Sequence, residues 1–212
     1  MPLSPFGLTI RPSHRLPAEL LLLMSRKIYL LGNLAITHNG RPSDLLRNAK
    51  GCALLVYLIV RGRAETREHL ADLFWDSPDT SGSLRNLRVL LTRIRPYLPG
   101  LATTRNSAQY IPPSDETIDY LTLWDSLTTG ESHPSLDDLR LYRGELLEGF
   151  YLEDAPRYME WLTLQREKLR RAVLDAHRSL CQTLADKKYW SEGAEVAAHW
   201  LAIDELDEEA LR

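Results

Sequence analysis

Four arginines, Arg85, Arg88, Arg93 and Arg95, fall within the stretch SGSLRNLRVLLTRIRPYL, which contains no acidic residue. A guanidinium is permanently charged and presents its N–H donors in a planar fork. It therefore pairs with phosphate oxygens and can read the O6/N7 edge of guanine. With Arg85 at the origin and about 100° per residue, Leu87, Leu90, Leu91, Ile94 and Leu98 fall between about 140° and 240°, one apolar stripe. Arg88, Thr92 and Arg95 fall at about 300°, 340° and 280°, and Val89 and Arg93 at about 40° and 80°. One face packs, and the other is cationic with a valine in its middle. A helix face that only has to be soluble usually mixes Glu with Lys, so that pairs form along it. This face calls for an anion, although a merely soluble basic face accounts for an isolated helix equally well.

The charge of the remaining chain bears on that choice. Residues 1–113 carry 15 Lys/Arg against 7 Asp/Glu, and residues 114–212 carry 11 against 22. The formal net charge of −3 hides this division. A basic half joined to an acidic half suggests two modules, the first a candidate for nucleic acid. Cys52 and Cys181 each sit in an apolar helical pattern, which reads as buried thiols in a reducing cytoplasm. Neither a disulfide framework nor a zinc site is expected. The six histidines are scattered, and no Gly-rich phosphate loop, nucleophile elbow or H-E-x-x-H occurs, so neither an enzyme nor a cofactor is expected. No apolar run reaches membrane-spanning length, so no membrane partner is expected. Residues 1–23 contain the apolar LPAELLLLM after Arg11 and Arg15, but Glu19 interrupts it and no small-x-small cleavage site follows. The reading is a poorly ordered extension, with ordered structure opening at Met24.

The elements that must hold the basic helix follow from pattern. Residues 27–31 and 34–38 are strands, and Asn39-Gly40 is a type I′ turn signal. Residues 48–61 are a buried helix closed by Gly62, and Thr66 is a cap for the next helix, REHLADLFW. A loop over 77–82 leads to the basic helix, 83–98. LATTRNSAQYIPP is then a hairpin ended by two prolines. The two helices have helix-turn-helix spacing and the hairpin supplies a wing. After Pro113 come a short helix, a capping box at Ser135 and Asp138, a long amphipathic helix over 156–187, and a second over 191–203 with Ala194, Ala197 and Ala198 as small contact residues. DELDEEALR starts a third helix, and paired helices of this kind are the unit of a helical repeat. The fold class is mainly α with small β-sheets: a winged helix-turn-helix (24–113) followed by a TPR-like helical bundle (114–212), with a longer protein expected beyond Arg212.

KIYLLGNLAITHNGRP, REHLADLFWDSPDTSGSLRNLRVLLTRIR and LRLYRGELLEGFYLEDAPRYMEWLTLQREKLRR together resemble the SARP (AfsR-like) bacterial transcriptional activators, from about Lys27 to Arg212. That resemblance implies an OmpR-type winged helix followed by a bacterial transcriptional activator domain. It implies double-stranded DNA as partner, RNA polymerase as a second, and a homodimer on repeated sites. It also implies that 83–98 is the recognition helix in the major groove, with Arg85, Arg88, Val89 and Thr92 facing bases or nearby phosphates and Arg93 and Arg95 near the backbone. The wing would place Arg105 and Asn106 at the adjacent minor groove, although it lacks the glycine that often precedes the wing tyrosine.

The residues themselves agree with this. Arg88 and Val89 lie near the middle of the exposed arc. Val89 is placed to touch a thymine methyl, unless it packs against the strand pair. Thr66 and Arg67 start a helix whose backbone N–H groups can hold a phosphate, Thr66 being in any case a cap. Arg47 and Lys50 are further phosphate candidates, whereas the cluster 166–171 reads as solvated or paired. Two other classes remain open: a protein-interaction scaffold built on the repeats, and a DNA-binding regulatory module of a larger signalling ATPase.

Overall fold

Residues 51–60 are almost wholly apolar, and such a run folds as a helix buried on nearly all sides. In the computed structural model, which describes residues 26–77, 79–129, 134–204 and 210, this is α1, Ala49–Arg61. Asn48 caps it by accepting the Gly51 N–H at 2.8 Å, and Gly62 closes it at φ 62°, a left-handed conformation that side chains disfavour. Leu54, Leu55 and Leu58 are completely buried at the centre of the core.

Two small sheets flank α1. In the first, β1 (Arg26–Tyr29) pairs antiparallel with β2 (Ala35–His38), setting Ile28 against Ile36. Asn39 and Gly40 both take positive φ, 52° and 74°, and turn β2 into a short β3 (Arg41–Pro42). The second contains β5 (Leu101–Thr103) and β6 (Ser107–Tyr110), the expected hairpin, with β4 (Glu65–Thr66) paired to β6. Between β4 and β5 lie α2 (Arg67–Phe74) and α3 (Thr80–Ile94), followed by a 3-10 turn over Arg95–Tyr97. The basic helix thus begins at Thr80 rather than at 83. One strand crosses residue 113: β7 (Glu116–Ile118) runs parallel to β1 and completes a sheet of order β3-β2-β1-β7.

The rest is helical: α4 (Asp119–Thr128), α5 (Leu136–Leu139), α6 (Pro156–Asp186) and α7 (Trp190–Ile203). The capping box at Ser135 and Asp138 is formed. Lys188, at φ 62°, breaks the chain between α6 and α7. Those helices run antiparallel, since Arg170 meets Asp204, His177 meets His199 and Cys181 meets Gly193. Val196 and Trp200 are the buried residues of α7, while Ala194 and Ala198 are exposed, so those two alanines do not form the seam. The architecture is mainly α with small sheets, a winged helix-turn-helix followed by a TPR-like helical bundle. The extension over 1–23, and all of the third helix expected over 204–212 except Asp204 and Ala210, lie outside the described residues. No helix among the described residues is long and apolar enough to cross a membrane.

One apolar core joins the winged helix to the helices behind it. Phe74 of α2 stacks on Tyr158 of α6 at 4.9 Å, and Tyr57 of α1 lies 4.7 Å from Trp161. The buried Asp119 carboxylate accepts the Leu30 and Leu31 N–H groups (2.7 and 3.2 Å) and the Arg143 guanidinium (2.7 Å). It thereby satisfies backbone groups just after β1 that water cannot reach. Cys52 is buried, donates to the Leu45 carbonyl at 3.3 Å, and has its thiol pushed up to about 12 by burial.

The α6–α7 seam carries an acid-sensitive contact. His177 Nδ1 donates to the Val173 carbonyl at 2.8 Å, which leaves Nε2 to accept from His199 Nδ1 at 2.8 Å. Burial lowers both rings from their ordinary pKa, assisted at His177 by His199 and at His199 by Arg140. The unfolded chain therefore takes up protons that the folded chain refuses. Stability is complete above about pH 6.5 and falls as the pH drops below it. Melting temperatures at neutral and mildly acidic pH should show this loss, and His177→Gln should reduce the difference. An equal loss in that variant would place the acid sensitivity elsewhere.

Candidate nucleic-acid interface

α3 owes its orientation to a stripe of Leu87, Leu90, Leu91 and Ile94, all buried as the sequence expects. Its other face is solvent-facing: Arg85, Arg88, Val89, Thr92 and Arg93 are exposed, Val89 by 44%. Val89 therefore does not pack against the strand pair. The guanidinium groups of Arg85, Arg88 and Arg93 form no hydrogen bond or ion pair, which sets them apart from most cations behind them. Arg61 and Arg63 both bond Glu65 (2.7 and 3.1 Å). Arg170 and Arg171 pair with Asp204 and Glu167, and Arg166 donates to the Leu146 and Leu147 carbonyls.

Arg95, the first residue of the 3-10 turn, donates its guanidinium to the Thr103 hydroxyl on β5. This contact ties the end of the basic helix to the wing. Thr103 was not singled out in the sequence, where nothing local marks a strand threonine as the support of an arginine in another element. Between α2, α3 and β5 the two residues help to line a cleft of about 140 Å³, together with Arg67, Arg88 and Thr92. Three guanidinium-bearing residues thus share one small concavity, and the Arg67 Nε is buried there without a partner. The Thr92 hydroxyl is turned back onto the Arg88 carbonyl at 2.9 Å.

The wing turn manages without glycine. Thr104 N–H donates to the Ser107 carbonyl at 2.9 Å, and the Thr104 hydroxyl accepts the N–H groups of Asn106 and Ser107 at 3.2 and 3.0 Å. No residue of the turn needs a positive φ, so none needs to be glycine. Arg105 and Asn106 lie exposed at its tip.

Two of the expected phosphate contacts meet groups that already have partners. At the start of α2, Arg67 N–H donates to the Asn106 carbonyl at 2.9 Å and His69 N–H to the Thr66 hydroxyl at 3.2 Å. The β4–β6 pairing brings the wing onto that helix end, and Thr66 acts as a cap. Lys50 is turned inward. Its ammonium donates to the Phe74 carbonyl (3.0 Å) and Asp154 (2.8 Å) and sits 4.8 Å over the Trp75 ring. Desolvation favours this, because a half-buried lysine is cheapest where acceptors and an aromatic face surround it. Arg47 is exposed beside Asp44 at 3.6 Å. Among the described residues no group of three His, Cys, Asp or Glu could hold a metal ion.

No protein-family model and no curated protein matches the chain. One solved structure, Mycobacterium tuberculosis EmbR in complex with a low-affinity phosphopeptide, is similar over 88% of this chain and 56% of that one, at 17% identity and a TM-score of 0.47. The chain spans 56% of the length of that structure.

Proposed function

We propose that the chain is a sequence-specific regulator of transcription that binds double-stranded DNA with α3 in the major groove. One observation carries this reading: an exposed helix face bearing three unpaired arginines and a bare valine, and no carboxylate between Thr80 and Ile94. The three residues nearest the middle of that face, Arg85, Val89 and Thr92, meet base edges, while Arg88 lies towards one flank rather than near the middle. Arg67, Arg88 and Arg95, gathered in the cleft beside the wing, take a backbone phosphate, and the unpartnered Arg67 Nε gains an acceptor in doing so. Arg93 on the opposite flank takes the other strand's backbone, and Arg105 and Asn106 reach the adjacent minor groove from the wing tip. Lys50 and the Arg67 and His69 N–H groups are left out of the contact set.

The role as activator, RNA polymerase as a further partner and a dimer on repeated sites rest on the family resemblance. The DNA-binding unit ends after Ile118 in this reading, since β7 belongs to its sheet, and residues 119–212 form the activator region. The test is a duplex titration of the full chain across a salt series. If about four to six phosphates are met, the log–log slope is about −4 to −5. A slope near zero, or no binding at low salt, sinks the proposal.

A further inference from the structure

A second concavity lies beyond the far end of α3, between the first sheet and the 3-10 turn. Its volume, about 380 Å³, falls within the range of small-molecule sites. Pro96, Tyr97, Pro99 and Pro113 give it apolar walls. The Tyr97 ring is 40% exposed and makes no ring contact with another residue.

The pocket's polar lining is Arg26, His38, Ser43 and three carboxylates. Glu116 is fully buried and already answered, by Arg26 at 2.9 Å and by the Tyr110 hydroxyl at 2.7 Å. Asp44 and Asp115 are not answered in that way. Asp44 has only Arg47, at 3.6 Å across two exposed side chains, a contact of little energy. The Asp115 carboxylate has no hydrogen-bonding or ion-pair partner. Its charge adds to burial, the larger cause, in pushing Glu116 up, against the lowering effects of Tyr110 and Arg26. His38 also lines the pocket and is exposed. The pocket therefore combines an unused aromatic face, a proline wall, one carboxylate without a partner and a second that is only weakly paired.

We propose that this pocket binds a small organic cation, an ammonium group carried on an aromatic or branched aliphatic body. The ammonium sits between Asp44 and Asp115 and against the Tyr97 ring, and the body covers the prolines. An anion of the same shape is repelled, and a neutral analogue keeps only the wall contacts. Tyr97 and Pro96 belong to the same 3-10 turn as Arg95, which holds Thr103 of the wing. Occupancy of the pocket is thereby coupled to the setting of α3 and the wing. That second part rests on the DNA-binding reading, and by linkage DNA must change the cation's affinity by the same factor.

Amide NMR titrations of the full chain with phenethylammonium, phenethyl alcohol and phenylacetate separate charge from shape. Phenethylammonium should give saturable shifts around Tyr97, Gly100 and Asp115, phenethyl alcohol weaker ones there, and phenylacetate none. The Asp44→Asn/Asp115→Asn double variant should weaken phenethylammonium by about tenfold or more and leave phenethyl alcohol unaffected. Equal binding of the cation and the alcohol, saturable shifts located elsewhere, or no saturable shift overturns the site. In a duplex titration at matched ionic strength, phenethylammonium should move the DNA midpoint, and Tyr97→Ala should abolish the movement. An unmoved midpoint with the pocket filled overturns the coupling. If the chain binds no duplex, the spectra still decide the pocket, so the two readings fail separately.

Discussion

Tyr158→Ala is expected to lower the stability of the chain by about 3–5 kcal/mol, and Tyr158→Phe to leave it unchanged or raise it. Tyr158 is completely buried, stacked on Phe74, 5.4 Å from Trp161 and edge-on to Phe150 at 6.5 Å. Removing its ring opens a cavity between α2 and α6, where three aromatic rings would have to move to fill it. The hydroxyl is another matter: it is buried with no hydrogen-bond partner. An unpaired hydroxyl gains nothing for the desolvation it has undergone, so replacing O–H by H removes a penalty. Urea unfolding of the two variants measures both effects. A phenylalanine variant less stable by about 1 kcal/mol or more would mean that the hydroxyl has a partner such as a bound water.

The same contact bears on how the chain is divided. α2 is the helix against which α3 is set, and its inner side rests on α6 through Phe74 and through the Arg157–Asp72 ion pair. A fragment ending at residue 113 would lose that support, the Asp119 carboxylate beneath β1, and the β7 edge of the first sheet. The charge asymmetry and the two prolines at 112 and 113 suggested a boundary there, and both are real features of the sequence. What they do not reveal is a parallel strand of three residues. Glu-Thr-Ile is too short for alternation to register, and its partner β1 lies about ninety residues away. The two-residue β4 escaped for the same reason, and with it the link that occupies the Arg67 N–H.

Where the signal was local, sequence and structure agree closely. Asn48, Gly62, Thr66 and the Ser135–Asp138 box act through neighbours within four residues, and each forms as its residue type dictates. The apolar stripe of α3 was legible because burial repeats at the helical period. The fate of Lys50 was not legible, because its acceptors, Phe74 and Asp154, are distant in sequence. The grouping of Arg67, Arg88 and Arg95 was hidden likewise, since it needs three elements to converge.

That grouping separates two tasks on one helix face and leads to a reciprocal result. Arg88→Ala should weaken a selected site and random duplex by similar factors and make the salt slope shallower by about one, because its cleft partners Arg67 and Arg95 mark a phosphate position. Arg85→Ala should instead cost about 1–3 kcal/mol on the selected site and much less on random duplex, so the specificity ratio falls. Arg85 has no such cleft around it and stands at the centre of the exposed arc, one helical turn from Val89. Val89→Ala should lose a smaller amount, confined to sites that present a thymine methyl at the matching position. Competition binding on selected and scrambled duplexes measures all three variants. If Arg88→Ala changes the ratio between the two duplexes while Arg85→Ala weakens both alike, α3 is rotated in the groove relative to this assignment, with the Arg88 side on the bases and Arg85 on the backbone.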